Sequence, residues 1–216
     1  MEANYYIAKR QFRYFQIGYK DAPIQWVVLH GYRQLANRFI RKFDALNNET
    51  HTVFAPEAPS RFYIEGYTGR VGASWMTSED RKEDIENYVQ QLDTFYDNTI
   101  AKAKSNKRIL LGFSQGAATA VRWCCKGKAE FDELVIWAGT IPKDMKMNQI
   151  DMKLKQPVRV FIGNDDPFNK KDHITSALQV LEDSGVPYEL KFFDGGHDIH
   201  TNSLSEFAQS LSHTKF

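Results

Sequence analysis

The ten residues LLGFSQGAAT, numbered 110–119, place a serine between two glycines directly after an apolar run. The run RILLGF predicts a buried strand before the serine, and QGAATAVRWCCK after it is compatible with a helix. A turn this tight from strand to helix tolerates almost no flanking side chain, which accounts for Gly112 and Gly116. We expect the turn to lift the Ser114 hydroxyl clear of the sheet and to leave the Gln115 backbone N–H at a helix N-terminus.

Other apolar runs on both sides of this turn predict the rest of a sheet. They are β-branched or aromatic and mostly continuous, as strands covered on both faces are, and comprise WVVLH, TVFAP, ELVIWAG, VRVFIG and YELKFF. Helical spacing predicts further helices over 79–104, 170–184 and 200–212. Thr77 and Asp80 offer the first of these an N-terminal cap. The alternation predicts an α/β fold, a three-layer sandwich with a mainly parallel central sheet and helices on both faces.

The length of the chain fits one domain. With 216 residues and a mass of 25.0 kDa, residues 1–216 are expected to form a single α/β domain, and no Gly/Ser-rich linker divides them. The aromatic residues crowded into the first twenty positions favour a strand and hairpin there. The one long segment predicted to be irregular is 56–80, which is rich in aromatic side chains. These either wall a substrate pocket or pack beneath the connection.

Net charge and composition argue against nucleic acid as a partner and against a membrane span. The 28 Lys and Arg residues nearly balance the 27 Asp and Glu residues, so the net charge of +1 creates no field to attract nucleic acid. No apolar stretch has the length of a signal peptide core or of a membrane span, and a cytoplasmic protein is expected. Cys124 and Cys125 are adjacent, where a disulfide would need distorted geometry, so we expect buried thiols.

The serine needs two partners to react, because a hydroxyl near neutral pH is a weak nucleophile. A base has to accept its proton, and a carboxylate has to orient that base. FFDGGHDIH puts His197 in a glycine-flanked loop after the last predicted strand, and VFIGNDDPF puts Asp165 and Asp166 in a turn after the strand before it. His200 is the main rival to His197, but it begins the final predicted helix and lacks the flexible glycines.

A second backbone N–H is expected to face the serine, from the loop that follows the strand WVVLH. This loop contains His30, Gly31 and Tyr32; Gly31 lets the backbone approach closely, and His30 is expected to brace the loop. A metal site around His197 would lack any common ligand spacing, so no metal is expected.

Four stretches together, LHGY, GFSQGA, GNDDP and GGH, resemble the carboxylesterase and phospholipase family of α/β-hydrolases, which includes acyl-protein thioesterases. The resemblance spans residues 24–212, and the chain order Ser, Asp, His is the order found in α/β-hydrolases. It implies that Ser114 is the nucleophile, that Asp166, the acid before the proline, is the triad carboxylate, and that His197 is the base.

The resemblance also implies which groups surround the substrate carbonyl. The backbone N–H groups of Tyr32 and Gln115 would form the oxyanion hole, and Trp75, in GASWMTSEDR, would lie beside the substrate. One departure is visible. Family members often have Gly-Asp two residues after the His-Gly pair, where this chain has Arg33 and Gln34, which predicts a different acyl side of the pocket.

These observations predict a serine hydrolase that cleaves carboxylic esters or thioesters through an acyl-enzyme intermediate. No metal or organic cofactor is implied, and the expected partner is a small-molecule ester or thioester. Whether the protein forms a homodimer is left open by the sequence. Two other functional hypotheses are compatible with the same fold: a non-catalytic binding protein and a serine peptidase. A binding protein has no need to keep Ser114, Asp166 and His197 together, and a peptidase needs an extended substrate surface that the sequence does not reveal.

Overall fold

The structure, a computed structural model, describes residues 2–143, 145, 154–168 and 171–212. The runs predicted as strands are all strands. Numbered in chain order, the strands are β1 (Tyr14–Gly18), β2 (Ile24–Leu29), β3 (His51–Pro56), β4 (Ser60–Tyr63), β5 (Val71–Ser74), β6 (Lys107–Phe113), β7 (Glu133–Trp137), β8 (Val158–Gly163) and β9 (Tyr188–Phe193).

Within the described residues, seven strands form one sheet in the order β1-β3-β2-β6-β7-β8-β9. Every neighbouring pair is parallel except β1 with β3, which is antiparallel from Tyr14 opposite Pro56 to Gly18 opposite Thr52. The hairpin predicted for the N-terminus is wrong, because β1 pairs with the edge of β3 rather than with the next strand. Arg13 is tied there by a bidentate ion pair to Glu57, at the end of β3.

Helices connect the strands and cover both faces of the sheet. They are α1 (Ala36–Phe39), which continues as a 3₁₀ helix (Ile40–Leu46), α2 (Arg81–Phe95), which continues as a π-helix (Tyr96–Ile100), α3 (Gln115–Lys126), α4 (Lys171–Asp183) and α5 (Thr201–Ser212). Each helix predicted from spacing is present, although the first ends earlier, at residue 100. Residue 170, where the prediction began α4, lies outside the described residues.

The predicted cap of α2 differs from the observed one. Asp80 occupies the N-cap position with a left-handed φ of 45° and makes no capping hydrogen bond with its side chain. Instead, Asp84 Oδ2 accepts the Thr77 N–H at 3.2 Å, and Thr77 Oγ1 accepts the Glu79 N–H at 3.2 Å. The helix therefore begins with a carboxylate from its own first turn, where negative charge is favourable.

Residues 56–80 are not wholly irregular, which corrects the prediction. Strands β4 and β5 form an antiparallel hairpin from Ser60 opposite Ser74 to Tyr63 opposite Val71. The turn of this hairpin contains Gly66 and Gly69, both in the left-handed region at φ 62° and 85°, which glycine adopts without a steric penalty.

Alternate side chains of the buried strands pack into two hydrophobic cores, one on each face of the sheet. Val27 and Leu110 point toward α2, α3 and α4, whereas Trp26 and Ile109 point toward α1 and α5. This arrangement confirms the predicted three-layer α/β sandwich. No helix within the described ranges is long and apolar enough to cross a membrane.

Candidate active site

Ser114 occupies the turn between β6 and α3, in a backbone conformation that few residues other than glycine adopt. Its φ is 54° and its ψ is −118°, and conformations of this kind cost roughly 1–3 kcal/mol. The glycines beside it are required by contact. A Cβ added to Gly116 would lie 2.2 Å from the Leu29 carbonyl oxygen, and one added to Gly112 would lie 2.3 Å from the Gly116 oxygen. The strained turn thus depends on both predicted glycines.

The structure brings Ser114, His197 and Asp166 together at the carboxyl edge of the sheet. His197 Nε2 lies 2.9 Å from Ser114 Oγ, and His197 Nδ1 lies 2.7 Å from Asp166 Oδ2. The carboxylate is buried, while the imidazole is partly exposed. Asp165, the other acid of the pair, is exposed and uses its backbone N–H to bond the Gly195 oxygen. An imidazole with its proton on Nδ1 can therefore donate to Asp166 and accept from the serine.

The loop that carries His197 is held from below by β7 and β8. Trp137 Nε1 donates to the Asp198 carbonyl oxygen at 2.9 Å, and a Cβ added to Gly163 would lie 2.4 Å from the Gly195 oxygen. His200, the rival base, lies elsewhere. Its Nδ1 is 2.9 Å from Ser203 Oγ in the first turn of α5.

The loop after β2 lies directly against the serine. A Cβ added to Gly31 would be 3.0 Å from Ser114 Cβ. The Gly31 carbonyl oxygen accepts from His30 Nδ1 at 2.8 Å and from the Gln34 N–H at 3.3 Å. Because the carbonyl and N–H of a trans peptide point in opposite directions, these two bonds fix the direction of the Tyr32 N–H. Among the described residues, neither this N–H nor that of Gln115 has a hydrogen-bond acceptor.

His30 is a fully buried and neutral link in this loop. Burial lowers the pKa of His30 to about 4, because a charged imidazole would lose its hydration there. Its Nε2 accepts the Ala58 N–H at 3.1 Å, so its proton resides on Nδ1 and is donated to Gly31. The prediction that His30 braces the loop agrees with these two bonds.

Trp75 is completely buried, so in this structure it has no exposed surface with which to make the predicted contact with substrate. Its indole N–H donates to the His30 carbonyl oxygen at 2.8 Å, and its backbone N–H donates to Gln115 Oε1 at 3.1 Å. Gln115 Nε2 also donates to the Met76 carbonyl oxygen at 2.9 Å. The Gln115 side chain thus links the turn after β5 to the first residue of α3, a role that the sequence motif did not reveal.

The β4–β5 hairpin extends from this loop and flanks the site. Arg33, at a left-handed φ of 65°, donates its N–H to the Ala73 oxygen at 3.0 Å, and the Ala73 N–H donates to the Gln34 oxygen at 3.0 Å. The half-exposed Tyr32 ring stacks on Phe62, with ring centres 5.4 Å apart. Trp75 packs beneath the connection, as one of the two interpretations of this segment expects, whereas Tyr32 remains half-exposed beside the hairpin. The other interpretation, that the segment walls a substrate pocket, stays a prediction.

With this geometry in view, the chain matches the phospholipase/carboxylesterase family over residues 15–215. The match covers nearly the whole sequence. The protein belongs to the phospholipase/carboxylesterase family. The resemblance noted in the sequence is therefore confirmed, and family membership supports ester hydrolysis as the class of activity.

Several solved structures have the same architecture. Esterase PE8 is 22% identical, with a TM-score of 0.70 over 93% of this chain and 99% of its own. Acyl-protein thioesterase 2 from Zea mays is 18% identical, with a TM-score of 0.70 over 93% and 97%. The Bacillus cereus carboxylesterase is 13% identical, with a TM-score of 0.69 over 93% of each chain. These likenesses confirm the α/β-hydrolase fold. No curated protein sequence matches the chain.

Proposed function

We propose that the protein is a serine hydrolase that cleaves small-molecule carboxylic esters or thioesters, with Ser114 as nucleophile, His197 as base and Asp166 as the orienting acid. The observation that carries this proposal is the continuous pair of contacts, 2.9 Å and 2.7 Å, that joins the hydroxyl through the imidazole to a buried carboxylate. A surface serine and a structural histidine would have no reason to meet in this way at a strained turn.

In the first half of the reaction, His197 Nε2 accepts the Ser114 proton while the serine oxygen attacks the carbonyl carbon. Negative charge develops on the carbonyl oxygen, between the N–H groups of Tyr32 and Gln115. Each such donor supplies about 2.7–4 kcal/mol of transition-state stabilisation in comparable chemistry. The imidazolium then gives its proton to the departing alcohol or thiol, which leaves an acyl group on Ser114.

In the second half, water takes the place of the alcohol. The neutral imidazole accepts a proton from that water, which attacks the acyl-enzyme, and the same proton returns to Ser114 as the acid departs. Asp166 stabilises the positive imidazolium in both halves. The residues in this scheme supply every proton transfer.

A fluorophosphonate probe tests the proposal, because it labels only an activated serine. The wild-type protein should be labelled and should hydrolyse p-nitrophenyl esters, with an optimum along a series of acyl chain lengths. Ser114→Ala should lose both properties, whereas Ser60→Ala, which alters an exposed serine on β4, should keep them. Absence of labelling in protein that circular dichroism shows to be folded would favour a binding protein instead.

A further inference from the structure

Phe168 is an exposed aromatic side chain in direct contact with the base. It is 66% exposed, and its ring centre lies 4.8 Å from that of His197, in an edge-on arrangement. Phe113 contacts the same imidazole at 4.9 Å, but it is only 2% exposed. Of these two phenylalanines, Phe168 therefore presents its surface to a bound molecule. Single exposed apolar side chains are common, so it is the contact with His197 that gives this one meaning.

The backbone of Phe168 is anchored to the same carboxylate as the base. Its N–H donates to Asp166 Oδ1 at 2.9 Å, while Asp166 Oδ2 bonds His197. Pro167 lies between the two residues and restricts φ at its own position. The origin of the Phe168 side chain is thereby fixed relative to the imidazole, so that the ring is held at the site by the residues that perform the chemistry.

Proton transfer decides which part of an ester this ring faces. The imidazole that accepts the serine proton returns it to the leaving oxygen, so the alcohol oxygen must come within hydrogen-bond distance of His197 Nε2. The carbonyl oxygen points instead toward Tyr32 and Gln115. The group attached to the alcohol oxygen therefore extends past the imidazole, next to its exposed neighbour Phe168.

We propose that Phe168 forms a wall of the alcohol subsite and that the protein prefers esters of uncharged aromatic alcohols over esters of short alkyl alcohols. This inference rests on the proposed hydrolase function. An aromatic group on the alcohol can pack against the Phe168 ring, which a methyl or ethyl group covers poorly. The exposed Asp165 in the same turn adds negative charge, which disfavours an anionic alcohol.

Benzyl acetate and ethyl acetate test the inference, because both give the same acetyl-enzyme and both release an alcohol rather than a phenol. In Phe168→Ala, the ratio of kcat/KM for benzyl acetate to kcat/KM for ethyl acetate should fall by about 3- to 10-fold, as expected for loss of one aromatic contact. Phe168→Tyr should restore the ratio, and Phe168→Leu should give an intermediate value. The rate of acetyl-enzyme hydrolysis should not change, since the alcohol has already left.

The ratio does not depend on how much of a variant folds, because both esters report on the same active molecules. Phe192→Ala removes another exposed phenylalanine, on β9, and should leave the ratio unchanged. An equal loss for both esters in Phe168→Ala, or a ratio unaffected by it, would overturn the inference while leaving the hydrolase function intact. Failure of the wild-type protein to cleave either ester would instead contradict the proposed function.

Discussion

The loop proposed to form the oxyanion hole, residues 30–34 (the oxyanion loop), and the histidine loop, residues 194–200, flank the same serine but are held in different ways. The first is fixed by buried groups, with His30 and Trp75 both fully enclosed and hydrogen-bonded to its backbone. The second is hydrogen-bonded at Gly195 and Asp198 to residues at the ends of β7 and β8, and its imidazole remains partly exposed. Groups that stabilise charge must not reorganise during the reaction, whereas a base must exchange protons with serine, alcohol and water.

The largest expected effect belongs to Asp166, the carboxylate that contacts the imidazole of the histidine loop. Asp166→Asn should lower kcat by about 10⁴-fold, because an amide can no longer hold the proton on Nδ1 or stabilise the imidazolium. Asp165→Asn is the matched control, since that side chain is exposed and the neighbouring acid makes the contact with His197. Steady-state kinetics on one p-nitrophenyl ester measure both. Comparable losses in the two variants would contradict the assignment of Asp166.

Two substitutions of His30 test the oxyanion loop, and each of them keeps one of the two hydrogen bonds that the imidazole makes. The amide nitrogen of Asn can reproduce the Nδ1 donor to Gly31, whereas the amide of Gln can reproduce the Nε2 acceptor for the Ala58 N–H. His30→Gln should lower kcat by up to about 100-fold with little change in KM, because the peptide before Tyr32 is no longer aligned. His30→Asn should keep kcat within a few-fold but lose about 1–3 kcal/mol of stability. Equal kcat values would mean that His30 only supports the fold.

The same histidine predicts a loss of stability in acid. Its folded pKa of about 4 lies below the unfolded value of about 6.5, so between these values the unfolded chain binds more protons. Stability should therefore decrease as the pH falls, by about 2 kcal/mol between pH 7 and pH 5. Urea unfolding at both pH values measures this change.

His30→Asn provides the reference for that titration, because it removes the buried imidazole. The variant should show a smaller loss of stability between pH 7 and pH 5 than the wild type. Burial also lowers the pKa of His51, but His51 is present in both proteins, so its contribution cancels in the comparison. The same pH dependence in both proteins would show that His30 does not titrate in this range.

The smallest expected effect comes from the support beneath the histidine loop. Trp137→Phe removes the N–H that bonds the Asp198 oxygen but keeps a ring against Phe161, with which the indole stacks at 4.3 Å. One hydrogen bond contributes about 1 kcal/mol, so kcat should fall by no more than about fivefold. A much larger loss would show that the two loops are equally intolerant of displacement.

The sequence predicted those features that depend on local chemistry. The need for glycine at positions 112 and 116 could be predicted, because no side chain fits between β6, α3 and the end of β2. Parallel strands deliver the loops after β8 and β9 to one edge of the sheet, which pointed to His197 and to the pair Asp165 and Asp166. The choice of Asp166 within that pair came from the family resemblance. The distances of His197 and Asp166 from Ser114 needed the three-dimensional structure.

Features that depend on non-local pairing were missed or misjudged. The hairpin strands have four residues each, too few for a periodic pattern. The bridge between Ala73 and Gln34 pairs β5 with the loop after β2. The burial of Trp75 depends on an acceptor, the His30 oxygen, that lies 45 positions away in the chain. Neither the pairing of Ala73 with Gln34 nor the hydrogen bond from Trp75 to His30 could be identified from the neighbouring residues in the sequence.

The manner in which the hairpin joins the oxyanion loop has an evolutionary consequence. Arg33, Gln34 and Ala73 are linked by main-chain hydrogen bonds, which do not require particular side chains, although the left-handed φ of 65° at Arg33 favours glycine or asparagine there. The far end of the hairpin, around Tyr67, can therefore accumulate substitutions and insertions that change the surface beside the oxyanion loop without disturbing the backbone of that loop. A lineage can in this way acquire new substrates while its chemical machinery stays unchanged.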